Sequence, residues 1–116
     1  IPELLSLAEE VKIDWSNVRV TTDIRVVASQ PSQFQAFLGM ETIPADPDQY
    51  YMWHSTQDTN ITGLQSPRID KLLEDRRQTI DTEERRQIYI DFQRFLVEEI
   101  PAVFLYHPQS FKIKRV

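Results

Sequence analysis

The chain has 116 residues, 41% of them hydrophobic and 27% charged, which is the composition of an ordinary globular domain rather than of a disordered segment. A net charge of -5 argues against a nucleic-acid backbone or an anionic membrane surface as the main partner. The absence of cysteine excludes disulfides, thiolate metal sites and cysteine nucleophiles.

The length favours one domain over residues 1–116, or a piece of one, with roughly two thirds of the unfolded chain's surface buried on folding. No signal peptide is read, and a start at Ile1-Pro2 without methionine is what a mature product or an excised fragment carries. The longest apolar run, Ala102 to Tyr106, is too short to span a bilayer. Gly39 and Gly63 stand too far apart to build a phosphate-cradling loop.

In chain order, Pro2 suits a first helical position and Glu3 the positive end of the helix dipole. Leu4, Ala8, Val11 and Trp15 follow at helical spacing, which predicts a helix from Pro2 to Trp15, ended by Ser16-Asn17. Alternation over Thr22 to Ala28 predicts a strand. Gln30-Pro31-Ser32 opens a short helix with Phe34, Phe37 and Leu38 on one face, closed by Gly39. Met40 to Ile43 reads as a brief strand. Pro44 and Pro47 hold a loop, in which Asp46 or Asp48 caps a turn of helix through Tyr50, Tyr51 and Trp53. Ser55 to Thr62 reads as a polar surface loop.

Ser66-Pro67 is a helix start, with Ile69, Leu72, Leu73 and Arg76 on the inward side. Asp81, with Glu84 three residues on, has capping-box spacing for a second helix. Ile88, Phe92, Phe95, Leu96 and Ile100 form its apolar stripe, and Pro101 stops it. Ala102 to Tyr106 reads as a buried strand and Phe111 to Val116 as a second extended piece. The pairs Arg76–Arg77 and Arg85–Arg86 sit among acids and read as solvated helix faces.

Candidate chemistry is sparse. His54 and His107 lack the spacing of a zinc site, and no Gly-x-Ser-x-Gly elbow exists, so both read as structural or solvent-facing. The acid pairs Glu9-Glu10, Glu83-Glu84 and Glu98-Glu99 are neighbours on helices and diverge by about 100°. Asp46, Asp48, Tyr50, Tyr51 and Trp53 combine carboxylates with amphipathic aromatics beside a proline loop; a functional loop and a capped helix with core aromatics are weighed equally. Asn60-Ile61-Thr62 matches a glycosylation sequon, a pattern common by chance.

The order Asp46-Pro47-Asp48, Trp53-His54-Ser55, Asn60-x-x-Gly63 and Ser66-Pro67-x-Ile69-Asp70-x-Leu72-Leu73, with Ile100 to Tyr106 behind it, resembles the C-terminal lobe of extracellular solute-binding proteins of family 5. These are the oligopeptide-, dipeptide- and nickel-binding receptors of ABC importers. The resemblance covers nearly the whole chain through an ordered set of weak motifs. It implies an α/β fold, a mixed sheet with flanking helices, as part of one lobe of a type II periplasmic-binding-protein fold. It also implies a periplasmic or extracellular location, compatible with a lipoprotein anchor on the full-length protein.

A peptide or other small solute is then held noncovalently between two lobes, without catalysis, metal or cofactor, and delivered to ABC permease subunits. The remaining lobe of the same receptor is the other partner, and nucleic acid is not one. Met40, Glu41, Thr42, Ile43 and Asp46 are the implied ligand-binding residues. Lining up the Asp-Pro-Asp loop puts Gly39-Met40 where peptide-binding members carry Gly-Trp, and Ile43 where they carry an ammonium-pairing Asp. Isoleucine cannot pair with an ammonium. Glu41 takes that role if it faces the cleft; otherwise the ligand lacks a free amino terminus or binds by apolar contact. Two other readings stand beside this one: a stand-alone α/β interaction module docking a partner on the aromatic loop, and a hydrolase using His54 or His107 with a nearby acid.

Overall fold

A computed structural model describes residues 2–114, and the chain divides into two compact units, Ile1–Ile43 and Pro44–Val116. Among the described residues there are four helices and no strand: α1 (Pro2–Asn17), α2 (Tyr50–Trp53), α3 (Pro67–Gln78) and α4 (Thr82–Glu99). The expected α/β fold with a mixed sheet, and with it the sheet-based lobe of a type II binding protein, is therefore corrected to a helical one. Thr22 to Ala28, Met40 to Ile43, Ala102 to Tyr106 and the described part of Phe111 to Val116 form no strand, and Arg115 and Val116 lie outside the described residues. The physical reason is that alternation marks a surface, whereas a strand takes its hydrogen bonds from a neighbour about 4.8 Å away.

In the first unit, α1 runs two residues past the expected end at Trp15. It closes with Val20 N–H donating to Trp15 C=O at 2.9 Å and Arg19 N–H to Ser16 C=O at 3.0 Å, while Arg19 takes the left-handed conformation at φ 66°. This is the Schellman closure, made here without its usual glycine. The helix expected over Pro31 to Gly39 is absent. Phe34 and Phe37 instead pack ring to ring, 5.5 Å between centroids. Gly39 lies under that pair: a Cβ there would meet Phe37 Cε1 at 2.8 Å. No described residue of this unit is buried.

The second unit has the core. Trp53, Ile69, Leu73, Phe92 and Leu96 are buried together, with Tyr50, Met52, Leu64, Leu72, Tyr89, Phe95 and Ala102 packed around them. Of these, Ile69, Leu72, Leu73, Phe92, Phe95 and Leu96 are inward positions predicted for α3 and α4, at helical spacing. Asp81 caps α4 by accepting from Glu84 N–H at 2.8 Å, as its spacing predicts. Ser66 does not use its hydroxyl to cap α3; that hydroxyl is buried against Glu99 Oε1 at 3.3 Å. Arg68 reinforces the same join, pairing with Glu98 and Glu99 and lying 3.7 Å from the centre of the Phe95 ring. The start of α3 is thereby tied to the end of α4.

α4 ends on Ile100, which is left-handed at φ 50°. A β-branched residue pays a steric cost there. Pro101 bars the ordinary helical alternative for the residue before it. Beyond it, Val103 is 75% and Phe104 70% exposed, so the segment expected as a buried strand is open to solvent.

Candidate functional site

Two hydrogen-bonded constellations in the second unit hold Asp46, Asp48, His54, Ser55 and Asn60, polar residues singled out in the sequence. The first surrounds His54, which is 4% exposed. Thr56 N–H donates to His54 Nδ1 at 3.2 Å, which makes Nδ1 an acceptor and leaves Nε2 to carry the proton. Nε2 then donates to Glu74 Oε1 at 3.3 Å, while the Thr56 hydroxyl also reaches Nδ1 at 2.9 Å. The Tyr50 ring stacks on the imidazole, 4.2 Å between centroids, and Arg77 lies 3.8 Å from the Tyr50 ring centre on α2.

Next to it, Ser55 donates twice to Asp70: N–H to Oδ1 at 2.9 Å and Oγ to Oδ2 at 2.5 Å. Serine, histidine and aspartate are thus neighbours, but the serine proton is directed at the acid. His54 Nδ1 is 4.0 Å from Asp70 and already accepts from Thr56. A serine nucleophile needs its hydroxyl against the imidazole; this arrangement is a staple between the end of α2 and α3. His107, the other candidate, sits on the exposed C-terminal segment.

Asn60 completes this constellation. Its Nδ2 donates to the carbonyls of Trp53, His54 and Leu64 at 3.2, 3.4 and 2.9 Å. Its Oδ1 accepts from Thr62 Oγ1 at 2.8 Å, and Thr62 in turn accepts from Leu64 N–H. Gly63, at φ 68°, makes the turn that brings Leu64 back. The sequon's acceptor nitrogen is thus committed inside the fold.

The second constellation is the Asp46-Pro47-Asp48 loop on α3 and α4. Asp48 stands just before Gln49, the N-cap of α2, and accepts from Tyr50 N–H at 3.2 Å. Its Oδ2 also accepts from Arg77 Nε at 3.0 Å and Nη2 at 2.6 Å. Burial pushes the Asp48 carboxyl up, but the Arg77 and Tyr50 hydrogen bonds and the charges of Arg77 and Arg76 outweigh it and hold it below its ordinary value. Asp46 accepts from Arg76 Nη2, and Arg85 Nη2 lies 3.8 Å away. Tyr89 donates its hydroxyl to Pro47 C=O, and burial raises the pKa of that phenol.

Of the ligand-binding residues expected from the sequence, Met40, Glu41, Thr42 and Ile43 are exposed and belong to the first unit. Asp46 belongs to the second and is engaged by arginine. Arg76, which the stripe puts on the inward side, is 8% exposed, as that position implies and the solvated reading of the Arg76–Arg77 pair does not. Arg77 is exposed, yet it stacks on Tyr50 and gives two donors to Asp48 Oδ2. A charge on an inward face needs a partner, and the sequence alone does not name Asp46 as that partner. Arg86 aside, each of these basic residues holds the Asp-Pro-Asp loop.

Among the described residues there is no cluster of His, Asp and Glu suited to a metal ion, and no helix is long and apolar enough to cross a membrane. An open apolar groove of about 290 Å³ lies at the end of α4, lined by Leu96, Val97, Ile100, Ala102, Val103 and Phe104. Compared with protein-family models, with curated proteins and with solved structures, the chain matches none.

Proposed function

We propose that this chain is part of the solute-capturing component of an ABC importer, binding a peptide or similar small solute noncovalently for delivery to membrane permease subunits. The observation that supports this most is that residues from three of the motifs carrying the family resemblance bind one another: Ser55 binds Asp70, and Asn60 binds the carbonyls of Trp53 and His54.

A second support is the amount of unmatched apolar surface. Val26, Met40, Ile43, Val103, Phe104 and Phe111 are all more than half exposed. Surfaces of this kind call for cover by more protein, and in this reading the remaining lobe of the same receptor supplies it. A free-standing interaction module is less well supported, because its first 43 residues would lack a core. In this reading the protein acts in the periplasm or outside the cell, and Met40 to Ile43 contribute to one wall of the cleft.

The test is mass spectrometry of the natural full-length protein purified with whatever solute it retains, followed by calorimetry with that solute. One bound peptide-sized molecule per protein is expected, with an export signal and a first lobe encoded upstream. A full-length protein that has neither upstream feature, or that binds no small solute, overturns the proposal.

A further inference from the structure

The two aspartates of the Asp46-Pro47-Asp48 loop are held in unequal ways. Asp48 uses both oxygens: Oδ1 takes Tyr50 N–H, and Oδ2 takes two donors of Arg77. Asp46 uses one. Its Oδ1 faces both Arg76 Nη2 and Arg85 Nη2, and its side chain is 69% exposed. Arg76 beneath it is 8% exposed, and its Nε is buried with no hydrogen-bond partner.

A guanidinium presents Nε and Nη2 side by side as a fork matched to two oxygens of one anion. Arg77 has both positions filled; Arg76 has one. The charge count points the same way. Arg76, Arg77 and Arg85 face Asp46 and Asp48, which leaves one positive charge uncompensated. Two tyrosines also face this cluster: Tyr50, whose ring centre lies 3.8 Å from the Arg77 guanidinium, and Tyr89, whose ring lies 5.5 Å from that of Arg76 and whose hydroxyl is spent on Pro47.

We propose that Arg76 and Arg85 form an oxyanion-binding site that the chain's own Asp46 occupies through a single oxygen, so that an external carboxylate or phosphate competes with Asp46 for it. An external anion brings two or three oxygens. It can bridge Arg76 Nη2 and Arg85 Nη2, and it reaches the buried Nε of Arg76 only as Asp46 moves away. Asp46 wins in the unliganded chain by proximity, since a tethered group competes at an effective concentration in the millimolar range. Displacement would free the loop at Asp46 while Asp48 and Tyr89 keep it attached. This site stands on the second unit alone and is independent of the receptor reading.

The experiment titrates the ¹⁵N-labelled chain with inorganic phosphate, and separately with acetate, at constant ionic strength against chloride. The readout is the Arg76 Nε–H resonance. Asp46→Asn removes the competitor, and a saturable shift at about tenfold lower anion concentration than in the unmutated chain is expected. Arg85→Gln weakens the same titration. Response to phosphate alone assigns a phosphate site, and response to acetate a carboxylate site. In the unmutated chain the Asp46 carboxyl ¹³C resonance reports displacement directly, so the test survives if Asp46→Asn fails to fold. An Asp46→Asn chain that binds both anions no more tightly than the unmutated one, or shifts no more than with chloride, overturns the proposal. So does an Asp46 carboxyl resonance that neither anion moves.

Discussion

Residues 1–43 and residues 44–114 use the same kinds of apolar side chain to opposite effect. Trp15, Phe34 and Phe37 in the first unit are exposed; Trp53, Phe92 and Leu96 in the second are buried. The difference is not helical pattern, since α1 is as regular as α3. It is the presence of an opposing stripe. Ile69 and Leu73 on α3 face Phe92 and Leu96 on α4, and α2 adds Trp53. A stripe yields free energy only when another stripe removes it from water. α1 has 16 residues, near the length below which an isolated helix is marginal in water, roughly 12–15 residues.

The sharpest way to break this comparison is to truncate one phenylalanine in each unit. Phe92→Ala costs about 3–5 kcal/mol, because it opens a cavity in the core. Phe34→Ala, at an exposed position, costs about 0.5 kcal/mol or less. Urea denaturation followed by circular dichroism reads both, and equal losses would end the contrast. Amide exchange adds a second view: α3 and α4 amides are protected well beyond those of α1.

Asn60→Ala is next in size, at about 2 kcal/mol, because three buried or half-buried carbonyls lose one donor group. Thermal melting measures it, and a neutral result would mean that the 54–66 loop is not held by this side chain.

Asp48→Asn is smaller, about 1 kcal/mol at pH 7 for a partly exposed pair in which two Arg77 donors share one oxygen. Its pH dependence carries the information. The folded-state pKa of Asp48 lies below its ordinary value, so the stabilisation is complete above about pH 4. It is lost as pH falls through the lower folded value. The melting temperatures of the two proteins are therefore expected to converge in acid and separate above it. A gap that is constant with pH would remove the charge from the explanation.

Ile100→Gly is the smallest and has the opposite sign. Glycine relieves the left-handed backbone at φ 50°, and the lost side chain is 68% exposed. A gain of roughly 0.5 kcal/mol is expected, after the entropy that glycine adds to the unfolded chain. A loss would show that the Ile100 side chain packs more than its exposure indicates.

Much of the second unit was legible from local signals. Pro67 and Asp81 mark the helix starts, Pro101 the stop, and of the predicted stripes Ile69, Leu73, Arg76, Phe92 and Leu96 become buried while Ile100 is 68% exposed. The candidate site was read less well. Asp46 was read as ligand-binding, and the structure shows it engaged by Arg76 and Arg85, which lie 30 and 39 positions away and which no local signal joins to it. Ser66 was given the cap that its sequence context suggests, while its hydroxyl goes instead to Glu99 across the helix pair.

What the sequence by itself determined was what a residue and its near neighbours decide: the helices α1, α3 and α4, the Asp81 cap and the Pro101 stop of α4, and the inward positions Ile69, Leu73, Phe92 and Leu96. The partners were decided by tertiary structure alone. Alternation at Thr22 to Ala28 and at Phe111 to Ile113, and the apolar run at Ala102 to Tyr106, promised strands. A strand's hydrogen bonds belong half to another segment, and none is there among the described residues. The same reason governs Arg76. Its position on the stripe was local, but whether a buried charge is tolerable depends on what the fold brings to meet it, and here that is Asp46.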